Sequence, residues 1–211
     1  MKDIIVIGGG GFAKEVIWLA NDCNRKVRGV LDDNSETHGL ELQGVNVLGN
    51  IDSWIEYASD CQFVIAIGNP RVRKLVADKM KLLGDPDYAI LVHPSVRFSN
   101  TVKISKGAIV CAGTILTTDI ELGEHCVLNL NVTVGHECEI RDFVTVAPMA
   151  AISGNVTLHD LVEVGTGAVI RQGLTLEGGS MLGMGGVLTK NIPEKFIFAG
   201  NPAKKLKEIV E

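Results

Sequence analysis

Two groups of residues in this 211-residue chain have the types and spacing to do chemistry. The first is His136-Glu137, within Val134-Gly135-His136-Glu137-Cys138. An imidazole takes up and releases protons near neutrality, and an adjacent carboxylate can orient it. The second is Gly8-Gly9-Gly10-Gly11-Phe12-Ala13, which fits G-x-G-x-x-A with Ala13 in the third glycine's place. Glycines let a backbone approach a phosphate, and a helix that follows offers its N-terminal amides. Further along, Asp32-Asp33 supply carboxylates that can accept from ribose hydroxyls.

Other reactive residue types fit less well. His125, His136 and His159 could suggest zinc, but spacings of 11 and 23 match no compact ligand motif, and we expect no metal. His38 lies in a polar loop and His93 precedes Pro94. Cys138 is a rival nucleophile two residues after His136. Its place in the repeat described next demands a small inward residue, and Cys126 shares that phase, so it reads as a buried small hydrophobe.

The elements that must hold these groups are visible as two patterns. Every sixth residue from Val92 to Leu188 is aliphatic or, once, Phe98: seventeen apolar positions without a slip. Four residues after each, from Val96 to Gly186, fourteen of sixteen are Val, Ala, Thr, Cys, Ser or Gly, the exceptions being Ile120 and Leu174. Neither a helix nor plain alternation has a period of six. A short strand plus a tight turn does, and three such edges close a triangular coil of eighteen residues. Stacked coils pair their strands about 4.8 Å apart. The sixth residues then point into a narrow prism that excludes rings, and the two corner residues face outward. His136 and Glu137 occupy such a corner, where a neighbouring subunit would pack. Corners favour Asn, Asp or Gly, so an adjacent His and Glu need a reason, as a reactive pair or as a fixing point of a subunit interface.

The first 91 residues read differently. Asp3 to Ile7 is a buried strand, the glycine loop follows, and Lys14 to Asn21 is amphipathic. Strands over Val27 to Leu31 and Phe63 to Ile67 come next, the latter leading through Gly68-Asn69-Pro70-Arg71 to a helix from about Val72 to Leu83. Alternating strands and helices predict a small parallel α/β sheet, half of a Rossmann fold. The unit is too short for two mononucleotide halves and no hydride-transfer domain follows, so it suits one nucleotide better than a dinucleotide-linked oxidoreductase. We therefore expect an α/β half-Rossmann domain over 1–91, a parallel β-helix over 92–190 and a tail over 191–211.

Composition removes several classes. A net charge of -5 and a pI near 5.6 argue against nucleic-acid binding through a basic face. No apolar run approaches the roughly 18 residues of a membrane span, and the N-terminal apolar run is too short for a signal peptide. Five cysteines without paired spacing suit a reducing cytoplasm.

In combination, I-G-G-G-G-F-A-K-E-V, L-D-D, A-I-G-N-P-R-V-R, V-H-P-S, the hexapeptides and A-G-N-P-A-K-K resemble one bacterial family over nearly the whole chain. These are hexapeptide-repeat sugar acetyltransferases, among them nucleotide-linked 4-amino-sugar N-acetyltransferases and the proteins labelled sialic acid O-acetyltransferases. The resemblance implies a left-handed coil, a homotrimer with active sites between subunits, and direct transfer from acetyl-CoA. It implies His136 as general base, Glu137 as its support and Asn129 as a positioning residue, with Asn131 as readily an ordinary turn residue. Gly154, one coil beyond His136 and roughly 5 Å along the prism, would donate its amide to the thioester oxygen. CoA would run past Gly154, Gly185, Lys190, Pro202 and Lys204, although the tail lysines also suit a plain basic terminus. Gly8, Gly9, Gly10, Gly11, Asp32, Asp33 and Asn69 would hold a UDP- or TDP-linked 4-amino-4,6-dideoxy sugar. A sialic acid O-acetyltransferase and a non-catalytic nucleotide-sugar-binding scaffold are the alternatives. Phe12 departs from the family, which often carries His there.

Overall fold

A computed structural model describes residues 1–209 of the chain, which folds as two compact units, Met1–Pro94 and the remainder from Ser95. In the first unit the continuous run of β1 (Asp3–Ile7) is buried on both faces, with Ile4 to Ile7 fully buried. A strand apolar on both faces belongs in the middle of a parallel sheet, and β1 lies there. It pairs in parallel with β2 (Val27–Leu31) on one side and, once the chain has added β3 (Glu41–Leu42) and β4 (Val45–Gly49), with β5 (Cys61–Ile65) on the other. The order is β3-β4-β2-β1-β5, with β3 antiparallel on the edge. Helix α1 (Gly11–Asp22) buries Ala13, Val16, Ile17, Leu19 and Ala20. Helix α2 (Pro70–Leu83) starts on a proline capped by Asn69, whose Oδ1 accepts from the Arg71 and Val72 amides at 3.0 and 3.2 Å.

Several boundaries move from their expected places. Helix α1 begins three residues before Lys14, because Gly11 supplies its first turn, and α2 begins at Pro70 because a proline needs no donor at that position. Strand β5 spans Cys61–Ile65, two residues earlier than expected, and Ala66 and Ile67 turn into a loop. The hairpin β3-β4 and the 3₁₀ segment Ile51–Tyr57 have no counterpart in the sequence reading. The loops after β1, β2 and β5 leave the same carboxyl edge of the sheet, where ligands of such folds bind.

The second unit is a parallel β-helix. Two-residue strands recur every six residues and pair with the strand eighteen residues on, as in Leu116 with Val134, Val134 with Ile152 and Ile152 with Ile170. All fourteen sixth-position residues from Val110 to Leu188 point inward, none more than 3 % exposed. The expected inward run fails at its start. Phe98 is 50 % exposed on the edge strand Arg97–Phe98. The third residue after each inward one turns left-handed: from Gly107 to Gly185 all fourteen have φ between 54° and 75°. Six of these are glycine, and Asn and Asp take three more, but His125, Glu137, Phe143, Met149 and Leu161 hold the same conformation. The strand Phe196–Ala199 adds in parallel to Met181–Leu182 and pairs antiparallel with Lys204–Glu208, so the basic tail ends in a hairpin. No helix among the described residues is long and apolar enough to cross a membrane.

The interior sets a size limit that can be tested. Leu128 is fully buried in the prism, and Leu128→Phe is expected to cost about 1–3 kcal/mol through overpacking. A urea midpoint equal to that of the parent would contradict so narrow a core.

Candidate active site

His136 and Glu137 stand at the corner after strand Thr133–Val134, both exposed, while the residues on either side of the pair's turn, Val134 and Cys138, are buried. His136 Nδ1 lies 2.9 Å from Glu137 Oε2. An ionised carboxylate only accepts, so Nδ1–H is the donor and the lone pair sits on Nε2. The left-handed backbone at Glu137 is held from below, its N–H donating to Thr118 O at 3.0 Å, and the His136 carbonyl accepts from Asn155 N at 2.7 Å. Strain at Glu137 is not distinctive, since Phe143, Met149 and Leu161 share it; the hydrogen bond to the imidazole is.

The coil above completes the arrangement. The imidazole lies directly on Gly154, where a Cβ would come within 2.5 Å of His136 Nε2. Gly135 has a matching role that sequence reasoning passed over, because a Cβ there would sit 2.5 Å from the Gly154 nitrogen. Two glycines on adjacent coils thus let backbone and imidazole pack closely around the buried Gly154 and its N–H. Among the described residues that N–H meets no acceptor.

Not every expected residue gathers at this corner. Lys190 is on it, three coils of eighteen residues above His136. Asn129, Asn131 and Gly185 belong to the preceding corner: Asn129 Oδ1 accepts from Leu130 N at 2.7 Å, and a Cβ at Gly113 would strike Asn131 Oδ1. Pro202 and Lys204 lie in and after the turn of the terminal hairpin, where Lys205 Nζ stands 3.8 Å over the Phe196 ring. Cys138 is buried, its thiol donates to Ser153 O at 3.2 Å, and burial pushes its pKa up, so it is no thiolate nucleophile. His125 stacks on Phe143 with centroids 5.0 Å apart, and His159 reaches Glu177 at 3.6 Å, both at a different corner from His136.

The first unit holds a cleft of about 500 Å³ at the carboxyl edge of its sheet, lined among others by Gly10, Gly11, Phe12, Asp32, Asp33 and Gly68. Its four glycines divide by role. Gly8 needs φ +96° and packs on Ile67, and Gly9 is covered by Asp32, to which its N–H donates. Only Gly10 and Gly11 have open space where a side chain would stand. Asp32 also accepts from Asn34 N at 2.7 Å. Asp33 accepts from Ile51 N at 3.0 Å and pairs with Lys79 Nζ at 3.0 Å, and Lys79 also reaches Asp52 at 2.8 Å. Burial pushes the Asp33 carboxyl up, but the Ile51 amide and the Lys79 ammonium outweigh it and hold it below the ordinary range. Asn69 lies at the α2 cap, its Oδ1 already engaged. Lys79, Ile51 and Asp52 escaped sequence reasoning, since nothing local marks a helix lysine as a partner of residues 27 and 46 positions earlier.

A family model described as the PglD N-terminal domain matches residues 3–80. The GDP-perosamine N-acetyltransferase of Escherichia coli O157:H7 is 30 % identical over 96 % of this chain and 95 % of its own length. The perosamine N-acetyltransferase of Caulobacter crescentus, solved as a histidine-to-asparagine variant with CoA and GDP-perosamine, superposes with a TM-score of 0.90 at 26 % identity over 99 % of this chain and 98 % of that one. The acetyltransferase domain of PglB from Neisseria gonorrhoeae, solved with acetyl coenzyme A, gives a TM-score of 0.91 at 31 % identity over 97 % and 99 %. With a Rossmann-like unit ahead of a left-handed β-helix, the chain is an acetyltransferase and belongs to the hexapeptide-repeat sugar acetyltransferase family.

Proposed function

We propose that this enzyme transfers acetyl from acetyl-CoA to the 4-amino group of a nucleotide-diphosphate-linked 4-amino-4,6-dideoxy sugar. The observation that carries the reading is the His136 imidazole, held by Glu137 through Nδ1 and packed on Gly154, whose N–H has no acceptor among the described residues. The amine nitrogen attacks the thioester carbonyl, and His136 Nε2 takes the proton that this nitrogen loses. Such base catalysis is typically worth about 10² to 10⁴-fold. The Gly154 N–H donates to the carbonyl oxygen as it becomes an oxyanion. Collapse breaks the carbon–sulfur bond, and the imidazolium returns the proton to the CoA sulfur, leaving an amide and a free thiol. Glu137 stabilises the imidazolium between these steps.

CoA would lie along the upper coils, past Gly154, Gly185 and Lys190 to the turn of Pro202 and Lys204. The nucleotide would occupy the first unit's cleft, against Gly8 to Gly11, Asp32 and Asp33, with Asn69 acting through the cap of α2. Asn129 would help position the sugar from the corner of a neighbouring subunit. We read the protein as a homotrimer. Supporting this, Ile115 and Val169 are each 42 % exposed on one sheet face, and Met149 and Met184 are 67 % and 79 % exposed at the corner that borders it. Five free thiols suit the cytoplasm, where we place the reaction. Two of the relatives matched over nearly their full length are named for perosamine acetylation, so we rank a GDP-linked sugar ahead of the UDP and TDP forms expected from sequence.

Release of CoA thiol from acetyl-CoA, followed across GDP-, UDP- and TDP-linked 4-amino sugars, is expected to require one of these acceptors. Thiol release with free sialic acid alone would favour O-acetylation, and none with any acceptor would favour a binding protein. His136→Ala is expected to lower kcat at least about a hundredfold with CoA affinity near normal; near-normal turnover would overturn its role as base. In Gly154→Ala the new methyl displaces the imidazole, so kcat should fall about tenfold or more, while the thermal unfolding midpoint reports whether the coil is intact.

A further inference from the structure

We propose that Lys79 is a positioning residue that makes the first unit's cleft selective for a ribonucleoside diphosphate over its 2′-deoxy form. The inference rests on the nucleotide reading of that cleft and narrows the substrate class, since a TDP-linked sugar carries deoxyribose.

Three separate elements meet at the Lys79 ammonium. It projects from the tenth residue of α2, and reaches Asp33 in the loop after β2 and Asp52 in the segment Ile51–Tyr57. Without a cation between them, Asp33 and Asp52 would present two carboxylates to one point and repel. With it, Asp33 is pinned at both oxygens, Oδ1 by the Ile51 amide and Oδ2 by Lys79, each at 3.0 Å. Asp32 is pinned likewise, by the amides of Gly9 and Asn34. A carboxylate has about four lone-pair sites, so each of these fixed groups keeps acceptor capacity, and both line the cleft.

Two anchored acceptors on adjacent residues match a ligand with two adjacent hydroxyl donors, which is the cis diol of ribose. Hydrogen bonds to ionised acceptors are the stronger kind. An analogue that lacks one hydroxyl leaves an acceptor dehydrated and unpaired, the situation in which polar sites discriminate best. Deoxyribose is such an analogue. The same ammonium could instead touch the diphosphate directly, but that contact is blind to the 2′ position, so the two roles separate cleanly.

Half-exposed ion pairs contribute little to stability, and Lys79 and Asp33 are 41 % and 50 % exposed at the side chain, so Lys79→Met should remain folded. Calorimetric titration of the full chain with GDP, 2′-deoxy-GDP, UDP and 2′-deoxy-UDP tests the proposal without catalysis. The unsubstituted protein should bind the ribo form of whichever base it accepts about tenfold or more tighter than the deoxy form. Lys79→Met should bring that ratio close to one, and Lys79→Arg should restore most of it. Equal affinities in the unsubstituted protein overturn the proposal, as does a Lys79→Met variant weakened equally toward both sugars. If none of the four nucleotides binds, the nucleotide reading of the cleft falls and the proposal with it; selective failure of the ribo preference removes the proposal alone.

Discussion

Closure of the chain after eighteen residues governs the β-helix. Each coil lies directly on the next, so every residue has a neighbour eighteen positions away and a fixed choice between inside and outside. The sixth-residue positions that fill the prism are all aliphatic from Val110 to Leu188, and the inward residue four places after each is mostly small. Turning three times per coil demands a left-handed residue at every corner, which is why glycine is abundant and why the other corner residues are held against their preference. Aromatic residues and long helices have no place in such a core.

The same stacking builds the corner proposed for catalysis. A flexible imidazole gains a defined place because its ring rests on the glycine of the next coil and its Nδ1 is tied to the adjacent carboxylate. Gly135 and Gly154 are small because backbone and imidazole come close there. Precision thus comes from the scaffold rather than from many converging side chains. Rigid placement of few groups is how positioning and electrostatic preorganisation lower a barrier. The first unit works in another manner: its two carboxylates are held by backbone amides and one lysine drawn from four separate segments.

Sequence alone carried a good deal of this because the periodic features are local. The six-residue phase placed His136, Glu137 and Cys138 on the right sides of the prism, and the coil length linked His136 to Gly154. Strands Asp3–Ile7 and Val27–Leu31 were visible as continuous apolar runs. Features made by distant contacts were not. Phe98 keeps the phase of the repeat yet is exposed, because its strand has a neighbour in its sheet on one side only within this unit. The glycine run read as one phosphate loop, but Gly9 is spent on Asp32 and Gly8 on Ile67. The hairpin β3-β4 is short and polar, and the clasp of Lys79 on Asp33 and Asp52 joins segments that share no sequence signal.

In the proposed mechanism His136 and Glu137 act as one unit in acetyl transfer, and a double-mutant comparison tests this most directly. The rate of CoA thiol release at saturating acetyl-CoA and GDP-linked 4-amino sugar would be measured for Glu137→Gln, His136→Ala and both together. If Glu137 acts only through the imidazole, its substitution should cost about tenfold or more in the parent and almost nothing once His136 is alanine. An equal loss in both backgrounds would show that the two residues work independently, and the catalytic corner as described would be wrong.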